Sequence, residues 1–186
     1  MIICDNVTLS EEIDYISEFR DLKIRILSGE NLFKINKHKI KQHKNMLDFI
    51  SSKLPCDIIT GSLSLSIYGM INRDIGDIDI LIKDSQRYSD YKKYGYGDDY
   101  IENRLGYKFF KYKPSFFTRS KYYDVDFFLD KGCLYEEFNY NGFNLKVHNP
   151  VEIISHKIEM IKNRATDSSK HRGDLYRIFK SINFEN

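Results

Sequence analysis

The sequence contains little of what marks disulfide scaffolds, zinc modules or membrane proteins. Its three cysteines, Cys4, Cys56 and Cys133, are an odd number at wide spacing and form no C-x-x-C pair, which argues against a disulfide framework and a zinc site. No apolar run approaches the roughly 20 residues that cross a bilayer, and the first residues lack the basic and apolar regions of a secretory signal. We therefore expect a cytoplasmic protein with reduced thiols and no membrane partner.

Net charge is also nearly absent. The chain has 29 Lys and Arg residues against 27 Asp and Glu, a formal charge of +2, without the strong basic excess typical of nucleic-acid-binding domains. Apolar residues make up 41% and charged residues 30%, so a disordered or collagen-like chain is excluded. The length of 186 residues suits one globular domain, whose function has to be inferred from particular sites.

Proline is scarce, and two of the three prolines mark changes in pattern. Apolar residues recur at helical spacing before Pro55 and again after Pro150, whereas the sequence between them favours strands. Asn141-Gly142 predicts a hairpin turn. We predict one α+β domain over residues 1–186, with N-terminal helices (1–54), an α/β core (55–149) and C-terminal helices (150–186). The predicted helices cover residues 9–28, 34–53, 61–68, 151–164 and 168–182, and the predicted strands cover 57–59, 77–82, 107–112, 122–129 and the hairpin 138–145.

The stretch around Thr60-Gly61-Ser62 is typical of a strand that passes directly into a helix. The first backbone N–H groups of a helix have no partner within it, and a glycine lets a ligand approach the backbone closely. This combination suits an anion, and phosphate in particular. Gly61 and Ser62 are therefore candidate phosphate-binding residues.

Two carboxylates follow on the next predicted strand. Asp77 and Asp79 share one face, because alternate side chains of a strand point the same way. Acidic groups beside a phosphate site repel each other unless a cation lies between them, and oxygen ligands with phosphates suit Mg²⁺. The strand over 122–129 offers a third carboxylate for a two-metal site. We prefer Asp126, since an unpaired acid among its apolar neighbours would be costly, with Asp124 as the alternative.

Gly61-Ser62, then Asp77-x-Asp79, then a later acid on a strand resembles the pattern of the DNA polymerase β-like nucleotidyltransferases. The longer pattern, with Arg73 ahead of Asp77-Ile78-Asp79, is most similar to AbiEii-type and related minimal members of that superfamily. The resemblance covers about residues 56–179 and implies a nucleotidyltransferase-type mixed β-sheet flanked by helices. It also implies an NTP substrate such as ATP, Mg²⁺ or Mn²⁺ as cofactor, and release of pyrophosphate. Some members are toxins that modify tRNA, others belong to phage defence, and others modify proteins or small molecules.

The C-terminal helices carry a lysine where a core residue is expected. Lys157 falls on the same helical stripe as Ile154, Ile158 and Ile161, where a lysine needs a partner for its charge, either a triphosphate or a carboxylate. The resemblance places a lysine on such a helix, followed by a basic segment and an aspartate. Lys157, Lys170-His171 and Asp174 match these positions, which implies nucleotide binding by Lys157 and Asp174.

Each candidate also has a purely structural interpretation. Gly61-Ser62 can be a plain turn, Lys157 can extend its ammonium to water, and Arg73 can be a surface residue instead of a phosphate ligand. Asp126 can pair with a buried basic residue. The five lysines and two histidines between Lys34 and Lys44 can follow the phosphates of RNA, although a solvated helix face is the commoner explanation.

Together the patterns predict a metal-dependent nucleotidyltransferase. Asp77 and Asp79 bind the metal, Asp126 takes a second ion and helps to deprotonate the acceptor, and Gly61 and Ser62 hold the triphosphate. The acceptor stays open between an RNA or tRNA 3′ end, a protein hydroxyl and a small alcohol, and the lysine-rich helix favours RNA. An antitoxin partner is expected if the protein is a toxin. The alternatives are a nucleotide-binding module of the same fold without turnover, and a metal-dependent phosphodiesterase or nuclease.

Overall fold

The computed structural model describes residues 33–84, 101–104, 107–112, 124–163 and 168–184, together with residues 17, 19–22 and 25. For residues 101–104, 107–112, 124, 168, 181, 183 and 184 it describes the backbone alone. The chain divides into two compact units, one formed by Met1–Lys34 with Pro150–Asn186 and the other by Ile35–Asn149. The prediction of one domain with three segments stays a prediction.

In its described residues, the unit Ile35–Asn149 holds three helices and a seven-stranded sheet. The helices are α1 (Lys37–Gln42), α2 (Lys44–Lys53) and α3 (Gly61–Ile67). The strands are β1 (Ile58–Thr60), β2 (Asp77–Ile82), β3 (Ile101–Arg104), β4 (Tyr107–Tyr112), β5 (Asp124–Leu129), β6 (Tyr135–Tyr140) and β7 (Phe143–His148). The sequence indicated all of these strands except β3.

The sheet is mixed, in the order β3-β4-β5-β2-β1-β7-β6. Strand β2 pairs in parallel with β5, and β1 pairs in parallel with β7. The neighbours β1 and β2 are antiparallel, as are β3 and β4, β4 and β5, and β6 and β7. The predicted α+β class with a mixed sheet flanked by helices is therefore confirmed.

An apolar row crosses the four central strands and forms the core of the sheet. Val147 lies opposite Ile59, Ile59 opposite Ile80, and Ile80 opposite Phe127. All four side chains are fully buried. Because successive side chains of a strand face opposite ways, the neighbouring row of residues lies on the other face of the sheet.

The predicted helix over residues 34–53 is interrupted at His43. Asn36 caps α1, since its side-chain oxygen accepts hydrogen bonds from the backbone N–H groups of His38 and Lys39. At His43 the backbone leaves the helical region, with a ψ of 20°. The ring of His43 is buried, and its Nε2 lies 2.7 Å from Ser66 Oγ. The break therefore coincides with a contact between residues far apart in the sequence, His43 and Ser66. Apolar periodicity alone does not indicate such a break.

The hairpin between β6 and β7 turns at Asn141-Gly142, as predicted. Both residues have positive φ, 51° and 87°, which is the combination that a type I′ turn requires and that Asn-Gly favours. Tyr140, the last residue of β6, donates a hydrogen bond of 2.6 Å from its hydroxyl to Asp48 of α2. The hairpin is thereby joined to the helix.

The other unit contains α4 (Pro150–Lys162) and α5 (Ser168–Phe184), close to the predicted helices 151–164 and 168–182. Residues 19–22 are helical, and the remainder of the predicted first helix lies outside the described residues. In the part of the chain that the structure describes, no helix has the length and apolar character needed to cross a membrane.

Candidate active site: a carboxylate cluster beside the turn from strand β1 to helix α3

Strand register brings the predicted carboxylates together. Asp79 on β2 lies directly opposite Asp126 on β5, and on its other side Asp79 lies opposite Thr60 on β1. Asp77 precedes Asp79 by two residues and shares its face. The polar face of the sheet therefore carries three acids from two neighbouring parallel strands.

The three carboxylates are close enough to hold one cation between them. Oxygen atoms from Asp77, Asp79 and Asp126 all lie within 4.8 Å of one another, and each residue is half-buried. At 4.8 Å two unit charges repel by about 3 kcal/mol at an effective dielectric constant of about 20. A divalent cation would reverse the sign of this interaction, and carboxylate oxygens are the ligands that Mg²⁺ and Mn²⁺ accept.

The alternative third acid, Asp124, pairs with Asp77 in the backbone register of the two strands. Its side chain lies outside the described part of the structure. The described carboxylate cluster thus consists of Asp77, Asp79 and Asp126, which are the three acids that the sequence favoured.

Only a glycine fits at position 61, because the side chain of Asp79 lies against the backbone of Gly61. Its φ is +62°, a left-handed conformation that costs other L-residues roughly 1–2 kcal/mol. A Cβ at this position would overlap the Asp79 carboxylate, and would lie only 2.9 Å from Asp79 Cβ. The sequence suggested this glycine for the approach of a phosphate, whereas the structure gives it a second purpose, which is to leave room for a candidate metal ligand.

Ser62 and Arg73 contact each other at the start of α3. Arg73 donates one hydrogen bond of 2.6 Å from Nη2 to Ser62 Oγ and another of 3.0 Å from Nη1 to the carbonyl of Asp74. Ser62 is buried, and Arg73 is half-buried. A guanidinium is therefore fixed beside the turn that Gly61 and Ser62 form, where it can contribute positive charge toward a phosphate group.

Two contacts of His148, which the sequence does not predict, lie at the end of this face of the sheet. Thr60 Oγ1 lies 2.7 Å from His148 Nδ1, and Ser64 Oγ donates a hydrogen bond of 2.8 Å to the carbonyl of His148. These bonds attach the end of β7 to the first turn of α3. No sequence signal indicates them, because the parallel pairing of β1 with β7 joins segments that are far apart in the chain.

Lys157 and Asp174 contact each other within the unit that contains α4 and α5. Lys157 Nζ donates a hydrogen bond of 3.0 Å to Asp174 Oδ2, and the two side chains are only 6% and 0% exposed. Arg177 Nη1 lies 3.9 Å from the other oxygen of Asp174. Of the two partners considered for the buried lysine, a triphosphate and a carboxylate, the structure contains the carboxylate. The role of both residues in nucleotide binding stays a prediction.

Comparisons with known proteins were made on sequence and on structure. No protein-family model matches the chain, and no curated protein matches it significantly. Among solved structures, the chain is similar to an antigenic nucleotidyltransferase-like protein from Paracoccidioides brasiliensis, at 16% sequence identity and a TM-score of 0.43, over 77% of each chain. The function is therefore inferred from the site itself.

Proposed function

We propose that this chain is a metal-dependent nucleotidyltransferase. It moves a nucleoside monophosphate from an NTP to an acceptor hydroxyl and releases pyrophosphate. The observation that carries the proposal is the cluster of Asp77, Asp79 and Asp126, in which one carboxylate oxygen from each residue lies within 4.8 Å of the other two, beside the turn that Gly61 and Ser62 form. Three clustered acids next to a hydroxyl and a guanidinium suit phosphoryl chemistry, in which positioning and charge stabilisation dominate.

In this mechanism each side chain has a defined part. Asp77 and Asp79 would hold Mg²⁺ or Mn²⁺, and Asp126 would share the metal site and accept the proton of the acceptor hydroxyl. When bound, the metal neutralises charge on the triphosphate and lowers the pKa of the acceptor hydroxyl. Arg73 and Ser62 bind the triphosphate. The acceptor oxygen forms a bond to the α-phosphorus, the bond from that phosphorus to the bridging oxygen breaks, and its electron pair leaves with pyrophosphate.

The acceptor is proposed to be an RNA, such as a tRNA 3′ end, or a protein hydroxyl. If the modification is toxic to the cell, an antitoxin protein is the expected partner. Lys157 and Asp174 are proposed to assist nucleotide binding, through a lysine whose charge is held by a buried aspartate. A cytoplasmic location would give the protein access to NTPs and to these acceptors.

The proposal is tested by label transfer. The purified protein is incubated with each α-labelled NTP, Mg²⁺, and a mixture of total RNA and cell protein, and the products are resolved on a gel. We expect a labelled RNA or protein band with the wild type and none with the Asp77→Asn/Asp79→Asn variant. The matched control is Asp21→Asn/Glu159→Gln, which removes two exposed carboxylates and should label like the wild type.

A binding measurement distinguishes the proposed nucleotidyltransferase from a nucleotide-binding module that has the same fold but no catalytic activity. Mn²⁺ binding, followed by electron paramagnetic resonance in the presence of NTP, should be lost in the Asp77→Asn/Asp79→Asn variant and kept in the control. Label transfer that survives the double substitution would contradict the proposal. Mn²⁺ and NTP binding without any label would favour the non-catalytic module, and cleavage of RNA in the absence of NTP would favour a nuclease.

A further inference from the structure

The excess positive charge of the chain is concentrated in one short segment. Residues 34 to 44 contain five lysines and no acid, which leaves 24 basic against 27 acidic residues in the rest of the chain. Four of these lysines belong to the unit Ile35–Asn149: Lys37, Lys39, Lys41 and Lys44. They lie on α1 and at the start of α2.

The lysines of this segment differ in their contacts. Lys44 forms an ion pair of 2.5 Å with Asp48, and Lys39 donates hydrogen bonds from Nζ to Gln42 and Asn72. Lys37 and Lys41 are exposed, and in the described portion of the chain neither has an ion-pair partner. We call the exposed surface around Lys37 and Lys41 the α1 lysine face.

The pair of exposed lysines on α1 lowers the stability of the helix when no anion is bound there. Lys37 and Lys41 are four residues apart, so they are neighbours on one side of the helix, and like charges at this spacing destabilise a helix. An exposed helix usually mixes both signs of charge, but α1 has no acid in its sequence. A polyanionic ligand would remove this repulsion.

Helix α1 is attached to the candidate active site through two consecutive residues. Lys39 Nζ donates a hydrogen bond of 2.7 Å to Asn72 Oδ1, and the next residue, Arg73, donates one of 2.6 Å to Ser62 Oγ. At the other end of α3, the backbone N–H of Asn36 donates to the carbonyl of Ile67 at 2.8 Å. The lysine face is therefore held in a fixed position relative to the turn at Ser62.

We propose that the α1 lysine face is a docking surface for the backbone of a single-stranded RNA. Lys37 and Lys41 lie about 6 Å apart along the axis of α1, so both ammonium groups can contact phosphates of the same strand. The exposed amides of Gln42, at the end of α1, and Asn45, in the first turn of α2, lie near these lysines in the sequence, and an amide can hydrogen-bond a 2′-hydroxyl. This inference rests on the proposed function, because the RNA bound at the α1 lysine face would be the acceptor strand that reaches the carboxylate cluster.

The test measures RNA binding without NTP, by fluorescence anisotropy of a labelled oligouridine across a range of salt concentrations. The Lys37→Gln/Lys41→Gln variant removes two phosphate contacts, so we expect about tenfold weaker binding at 0.15 M salt, and a fall of about 1.4 in the magnitude of the slope of log affinity against log salt. Lys37→Arg/Lys41→Arg should bind like the wild type. The matched control, Lys53→Gln/Lys83→Gln, removes two exposed lysines elsewhere and should also bind like the wild type.

Three results would overturn the inference. The first is no RNA binding by the wild type, and the second is an equal loss of affinity in the control variant. The third is binding of an oligodeoxyuridine or of poly-glutamate that equals the binding of RNA, because the surface would then serve DNA or an acidic protein. The Asp77→Asn/Asp79→Asn variant should still bind RNA. A wild-type protein that binds RNA through Lys37 and Lys41 but transfers no label would count against the proposed function alone.

Discussion

The contact between Gly61 and Asp79 gives a sharp test of the site. Gly61→Ala places a methyl group onto the Asp79 carboxylate, 2.7 Å from its Cγ, at a φ of +62°. The left-handed φ alone costs roughly 1–2 kcal/mol for alanine, which in a chain of this size lowers Tm by about 2–4 °C per kcal/mol. The overlap with the Asp79 carboxylate lowers stability further and displaces a candidate metal ligand.

A second glycine provides the matched control for this substitution. Gly142 also has a left-handed φ, +87°, but a Cβ there would have no atom within 4 Å. Gly142→Ala therefore measures the backbone cost without the overlap. We expect Gly61→Ala to lose more stability to urea than Gly142→Ala, and to lose Mn²⁺ binding, which Gly142→Ala retains.

A double-mutant cycle identifies the cause of the difference. In an Asp79→Ala background the carboxylate is gone, so Gly61→Ala should destabilise the protein less than it does in the wild type, with a coupling of about 0.5–3 kcal/mol. Equal unfolding free energies for Gly61→Ala and Gly142→Ala, together with unchanged Mn²⁺ binding, would refute the reasoning. The glycine would then be serving the turn and not the carboxylate.

Two further predictions concern buried polar contacts. Asp174→Asn should destabilise the protein by about 3–5 kcal/mol in urea unfolding, because it leaves the Lys157 ammonium buried without its charge partner, whereas Lys157→Met/Asp174→Leu should cost far less; similar losses in both variants would contradict this. Tyr140→Phe should cost about 1 kcal/mol through the lost hydrogen bond to Asp48. Burial and the Asp48 charge raise the pKa of Tyr140 from 10.0 to about 12, so this contribution is present below pH 10 and declines as the pH rises toward 12. The stability difference between wild type and Tyr140→Phe should therefore shrink over that interval, and a difference that stays constant would exclude the linkage.

The parts of the site that the sequence predicts are the local ones. Asp77 and Asp79 share a face because of strand alternation alone, and Asn141-Gly142 specifies its turn through the φ values of two residues. The apolar neighbours of Asp126 favour it over Asp124, and its place opposite Asp79 follows from the parallel pairing of β2 with β5. That pairing joins segments that are far apart in the chain and is not encoded in either one.

The parts that escaped prediction depend on contacts across the fold. The hydrogen bond from Arg73 to Ser62 forms because a loop returns to the start of α3, and the contact between Thr60 and His148 forms because β7 pairs with β1. The break at His43 accompanies a hydrogen bond to Ser66. Helical periodicity over residues 34–53 is nearly the same with or without that break, so the spacing of apolar residues cannot reveal it.

The register of the central strands connects the stability of the core to the assembly of the site. The buried row consists of Val147, Ile59, Ile80 and Phe127. On β2 and β5 the preceding residue of each strand, Asp79 and Asp126, belongs to the polar row. A slip of one residue would turn the acids into the core and the apolar side chains toward solvent.

Burial of each of these large apolar side chains contributes about 1.5–3 kcal/mol. Repulsion between each pair of carboxylates within the cluster is about 3 kcal/mol at an effective dielectric constant of about 20, which is of the same order. The carboxylates are therefore held together by the packing on the opposite face of the sheet, in spite of their mutual repulsion. A cluster assembled in this way could bind a divalent cation, whose charge would offset the repulsion.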